Sequence, residues 1–188
     1  MSEPSRRHLM QLAATSGVLG GALAALPSAA PAADVPRDFD FLHGSWRVRH
    51  RRLKGRLVGS TEWQTFDGTC VCQPTMGGFG NMDDNWLDLP GGAYRAMGVR
   101  AYDPKAQHWA IWWIDGRNPH GPTDPPVKGG FRDGVGTFLS DDVQEGRKVV
   151  VRYEWSKITR STAVWEQAFS PDGGKTWEMN WHMDFTRV

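Results

Sequence analysis

An all-β, antiparallel up-and-down barrel of about nine or ten strands is the fold class this sequence predicts, and three observations predict it. From Ser45 onward, runs rich in Val, Trp, Tyr, Phe and Thr alternate with clusters of Gly, Pro, Asp and Asn. The gaps between runs are short, so successive strands join as hairpins. Past the N-terminal segment, no run keeps a helical apolar repeat for ~10 residues. Closing the sheet on itself is the economical arrangement, because it leaves no strand edge exposed.

The 188 residues are 39% hydrophobic, 11% aromatic and 23% charged, a composition of ordinary globular chains rather than of coiled coils, collagen or disorder. Residues 1–32 read as a twin-arginine export signal: Arg6 and Arg7 precede an uncharged Ala- and Gly-rich stretch from Leu12 to Ala30, closed by Ala30-Pro31-Ala32. Gly17, Gly20, Gly21 and Pro27 make the stretch too weakly apolar for a membrane anchor, which needs ~20 predominantly apolar residues. Removing it leaves residues 33–188 as one domain of 156 residues with 20 basic and 20 acidic side chains, periplasmic or secreted and with no transmembrane segment. A neutral chain offers no field for nucleic acid.

The strands fall near 45–53, 60–72, 78–87, 92–102, 107–116, 130–139, 147–157, 161–169 and 175–186. In the first, Trp46, Val48, His50 and Arg52 share one face, and Arg47, Arg49 and Arg51 form a solvated stripe on the other. The second carries both cysteines, Cys70 and Cys72, on one face; they read as buried free thiols, with no further Cys or His nearby to complete a metal site. Residues 77–85 are dense in oxygen donors but lack the spacing and distal Glu of a calcium loop, and read as a flexible loop entering a bulged strand. In the fourth, Tyr94, Arg100 and Tyr102 share a face. The fifth leaves its inner face open, since Trp109, Ile111 and Trp113 oppose Ala110, Trp112 and Ile114, with Asp115 and Arg117 in phase with Trp113. The Pro-rich segment 118–128 is a connection.

Later strands alternate clearly. Val149, Val151, Tyr153 and Trp155 point inward, as do Ala163, Trp165, Gln167 and Phe169, while Arg152 and Glu166 pair outside. Ser170-Pro171-Asp172-Gly173-Gly174-Lys175-Thr176-Trp177 fits the Asp-box turn pattern. In the last strand Trp177, Met179, Trp181, Met183 and Phe185 face inward against Glu178, Asn180, His182 and Asp184, since leaving the apolar set in water would forfeit ~1.5–3 kcal/mol each.

These phases assemble a candidate cavity. Trp46, Trp113, Tyr153, Trp155, Trp165 and Trp181 supply aromatic walls, and His50, Arg100, Tyr102, Asp115, Arg117 and Gln167 supply polar groups. Arg100 or Arg117 against Asp115 makes either a structural ion pair or an anchor for an anionic ligand.

The residues Phe41-Leu42-His43-Gly44-Ser45-Trp46-Arg47-Val48, Tyr102-Asp103-Pro104 followed by Trp109, Gly130-Phe131-x-x-Gly134-Val135-Gly136, Val151-Arg152-Tyr153-x-Trp155, Trp165-Glu166-Gln167-Ala168-Phe169-Ser170 and Trp177-Glu178-x-Asn180-Trp181 resemble an uncharacterised bacterial family of exported lipocalin-like proteins, a domain of unknown function. Gly44-x-Trp46 matches the Gly-x-Trp of lipocalins, which implies a Trp closing one end of the barrel. The resemblance implies a calycin-type barrel with an interior cavity and supplies no catalytic residues. The function expected is binding of a small apolar or amphipathic molecule in an aromatic-lined cavity. The alternatives are an enzyme of hydratase, isomerase or decarboxylase type, with His50 or Asp115 as acid or base and Arg100 or Arg117 holding a carboxylate, and a structural envelope protein with a packed interior. A haem protein would need an axial histidine; His182 is the candidate, on the outward phase. No cofactor is demanded by the sequence.

Overall fold

The computed structural model describes residues 34–188; the export signal expected at 1–32 lies outside the described residues. Ten strands succeed one another: β1 (Gly44–Leu53), β2 (Trp63–Thr75), β3 (Gly80–Leu87), β4 (Tyr94–Asp103), β5 (His108–Asp115), β6 (Val127–Arg132), β7 (Val135–Gln144), β8 (Arg147–Ser156), β9 (Thr162–Ser170) and β10 (Glu178–Arg187). Each pairs antiparallel with the next, and β10 pairs with β1 from Trp46↔Arg187 to Arg52↔Trp181, so the sheet is a closed up-and-down barrel. No helix among the described residues is long and apolar enough to cross a membrane.

The run expected at 130–139 is two strands. Asp133 and Gly134, with φ of 52° and 79°, form a two-residue turn between β6 and β7, the positive-φ geometry a right-twisted hairpin needs. The strand expected near 78–87 runs over residues 80–87 and carries no bulge, paired residue for residue with β2 and β4. Asn81, Asp83 and Asn85 are buried there, while Met82 and Asp84 are exposed.

Phase also changes in β10. Asn180 is an extra residue between the pairs Met179↔Ala168 and Trp181↔Gln167. Such a bulge reverses the faces of the residues before it. Trp177 therefore lies outside, under the Arg152 guanidinium 4.5 Å from its ring centre, and Asn180 turns inward to accept a hydrogen bond from Gln167 Nε2 at 2.7 Å. Trp181, Met183 and Phe185 keep their inward phase. Arg152 does not pair with Glu166; its register partner is Ala168, its ion partner is Glu154 at 3.8 Å, and Glu166 accepts His182 Nδ1 at 2.8 Å.

The barrel is shut at one end by the segment before β1. A single 3₁₀ turn, Asp40–Leu42, buries Phe39 and Leu42 against Trp109, Phe131 and Phe138. Trp46 Nε1 donates to Leu42 O at 2.7 Å, and Trp109 Nε1 donates to Asp38 Oδ2 at 2.9 Å, so two indoles tie the plug to the wall. Arg187 at the end of β10 donates to the carbonyls of His43 and Phe41 and stacks 4.2 Å over Trp46. The Asp-box segment is a turn: Asp172 accepts from Ser170 Oγ, Lys175 N, Thr176 N and Thr176 Oγ1.

Candidate functional site

At the end opposite the plug the barrel opens into a cavity of about 320 Å³. Its floor is aromatic. Trp181 on β10 meets Trp113 on β5 at 5.9 Å and Trp165 on β9 at 5.6 Å, both edge to face, and Trp165 meets Tyr153 on β8 at 4.9 Å. Edge-to-face contact fixes the rings against one another. On β5 the inner face is Trp109, Ile111 and Trp113, the first two buried.

Its rim is charged. Asp115 and Arg117 form a bidentate pair, with Arg117 Nε 3.0 Å from Asp115 Oδ1, and the guanidinium lies 3.8 Å over the Tyr94 ring. Hydrogen bonding from Arg117 holds the Asp115 carboxyl below the usual range, so this group is a poor base. Arg52, in phase with Trp46, Val48 and His50, reaches the rim 4.7 Å over Trp181. Arg56, from the β1–β2 connection, lies 5.7 Å over Phe169. Neither forms an ion pair among the described residues. Burial, together with the charge of Arg52, draws the Arg56 guanidinium down to about 10. Outside them a vestibule of about 610 Å³ gathers Arg52, Lys54, Arg56, Arg117 and Arg147, with Glu145 as its one carboxylate among the described residues.

Of the twelve residues expected at the cavity, Trp113, Asp115, Arg117, Tyr153, Trp165, Gln167 and Trp181 line it together. The other five lie elsewhere, because they sit deeper along the same inward faces. Trp46 belongs to the plug, and Tyr102 packs on Trp109 at 5.3 Å beside it. His50 is buried behind Trp181, stacked on Phe66 at 4.6 Å, its Nδ1 accepting Trp181 Nε1 at 3.3 Å. Gly68 admits that ring; a Cβ there would stand 2.7 Å from His50 Nε2. Burial draws the His50 imidazole down to about 3, which leaves it neutral and without acid-base use at neutral pH. Arg100 and Trp155 flank a separate pocket toward the plug.

Arg100 pairs with Asp83, not Asp115: Nη1 lies 2.6 Å from Asp83 Oδ2 and 3.0 Å from Asn81 Oδ1. Gly98 N–H also donates to Asp83 at 2.9 Å. Cys70 and Cys72 are buried free thiols on the same inward wall, and burial pushes Cys72 up to about 12. The candidate haem ligand His182 stands on the outer face with its two nitrogens 2.8 Å from Glu166 and 3.1 Å from Asp184, so it addresses no interior site.

Arg56, Asp124, Asp142 and Gln144 line the cavity as well and were not among the expected residues. The alternation of Asn81, Asp83 and Asn85 was a readable signal for the deep network, and the shared phase of Arg52 with His50 was one for the rim. Arg56 and Asp124 sit in loops, where no periodicity assigns a direction.

The chain matches no protein-family model and no curated protein. Among solved structures it is similar to the S-type phycobiliprotein lyase CPES from Guillardia theta, with a TM-score of 0.52 and 10% sequence identity, over 80% of this chain and 90% of that one. At that identity the likeness shows the fold, a lipocalin-like ten-stranded barrel.

Proposed function

We propose that this protein is an exported carrier for a small amphipathic anion, its apolar body on the tryptophan floor and its anionic group between Arg52 and Arg56. One observation carries the reading: two arginines without a carboxylate partner among the described residues stand where a cationic vestibule meets an aromatic cavity. A desolvated, unpaired guanidinium is unfavourable until an anion joins it, and arginine takes a carboxylate through two parallel N–H donors. The cavity also speaks against a structural protein with a packed interior. The lyase neighbour has a name that belongs to ligand chemistry, and its barrel is compatible with such a role here. We place the chain with the bacterial lipocalin-like family on the motifs around Trp46, Tyr102, Gly130, Tyr153, Trp165 and Trp181, and its export on Arg6, Arg7 and the Ala30-Pro31-Ala32 site.

Titration with biphenyl-4-carboxylate and its methyl ester, monitored by tryptophan fluorescence, tests the reading. The acid quenches and binds at least ~10-fold tighter than the ester, since a charge-assisted hydrogen bond contributes ~1.5–3 kcal/mol. The double change Arg52→Gln, Arg56→Gln erases the difference. Equal binding of acid and ester, or none of either, overturns it. Export is tested by cell fractionation, in which Arg6→Lys, Arg7→Lys retains the precursor in the cytoplasm.

A further inference from the structure

On the plug side of the main cavity lies a second pocket of about 30 Å³, with Trp113, Tyr153, Trp165 and Met183 bordering both and Arg100 and Trp155 lining the second. Two of the residues that line it carry side-chain nitrogens, Arg100 Nε and Trp155 Nε1, that are buried hydrogen-bond donors with no acceptor among the described residues. Arg100 is 6% exposed and Trp155 2%, and the guanidinium carbon lies 5.8 Å from the Trp155 ring centre. Buried donors are almost always satisfied, so two orphans beside one small pocket mark a place for an acceptor. The pocket's volume suits one oxygen-sized group.

Charge decides the kind of acceptor. Asp83 already neutralises Arg100 at 2.6 Å, so a second anion would bring uncompensated negative charge into a buried corner. A neutral oxygen fits. The geometry points to a deep subsite in which Arg100 Nε and Trp155 Nε1 hold a neutral carbonyl oxygen at the far end of the ligand. This rests on the proposed anion binding and narrows it to an elongated molecule, anionic at one end and carbonyl-bearing at the other. Tyr94 at the rim and Arg100 are six residues apart on β4. At ~3.3 Å per residue and a strand tilt of 35–45° this puts the two poles ~15 Å apart.

The test compares biphenyl-4-carboxylate with 4′-acetylbiphenyl-4-carboxylate carrying a ¹³C-labelled acetyl carbonyl. In the wild-type protein the acetyl probe binds ~10-fold tighter and its carbonyl stretch moves to lower frequency on binding. Trp155→Phe, which removes the indole donor, cuts that preference to about threefold or less and reduces the shift. If this variant does not fold, the infrared shift in the wild type decides alone. Equal affinities with an unshifted band mean that a resident water keeps both donors, and the subsite is wrong while the anion-binding reading stands on its acid-against-ester difference. Binding of neither carboxylate removes both.

Discussion

The two ends of this barrel are lined by the same kinds of side chain and do opposite things. At the closed end Phe39 meets Trp109 and Phe131 at 5.0 Å and Phe138 at 5.8 Å, and Phe39, Leu42, Trp46, Trp109 and Phe138 are all 1% exposed or less. At the open end Trp113, Trp165, Trp181 and Tyr153 pack edge to face just as closely, yet leave about 320 Å³ above them. The difference lies in the segments that border the rings. A short segment carrying Phe39 and Leu42 inserts into one end before β1, whereas the other is bordered by arginines, aspartates and the prolines of segment 118–126, which stay at the rim. Aromatic content therefore makes a wall, and the plug decides which wall becomes a floor.

Phe39→Ala breaks the comparison hardest. Truncating a buried Phe costs ~3–5 kcal/mol, and the loss reads out as a lower midpoint in urea unfolding with an unchanged slope. Affinity for biphenyl-4-carboxylate, measured where the variant remains folded, stays within about twofold. An affinity collapse in folded protein would show that the ends are one unit.

His50 sits between the two ends and gives the next largest effect. Its folded value of about 3 lies below the ~6.5 of an unfolded histidine, so between these the unfolded chain holds more protons and stability falls as pH drops. The contribution is fully present above pH ~6.5 and is lost toward pH 3, at roughly 1 kcal/mol per pH unit. Unfolding free energies at pH 7 and pH 5 should differ by less in His50→Gln than in the wild type. Parallel pH profiles would refute the burial argument.

How much of this was legible in the sequence depends on where periodicity applies. β8 and β9 pair without a bulge, so the inward phase of Tyr153, Trp155, Trp165 and Gln167 holds along both strands. In β10 the same rule fails before Asn180, because a bulge adds one residue that no alternation announces, and Trp177 lies outside where strict alternation places it inside. The turn at Asp133 and Gly134 is announced in the sequence, because Asp-Gly favours positive φ at both turn positions, and a single strand over 130–139 leaves that signal unused. Depth along the barrel was not legible at all. Trp46, His50, Arg100 and Trp113 share inward phases, and only the pairing registers show that they occupy four different levels.

Arg56→Met gives the smallest change in stability and the sharpest contrast between the ends. At the closed end the indoles of Trp46 and Trp109 each hold an acceptor within the plug, so losing either is felt. At the open end Arg56 is drawn down to about 10 by burial and by Arg52, which means the free protein carries a charge it holds against a penalty. Methionine keeps an unbranched apolar stem over Phe169 and removes that charge, so unfolding stability should stay level or rise by up to ~1 kcal/mol. Affinity for biphenyl-4-carboxylate should fall, and its dependence on salt should weaken, because one of the two cations meeting the anion is gone. A variant that lost stability while keeping both affinity and salt dependence would make Arg56 part of the scaffold and leave Arg52 alone as the anion's partner.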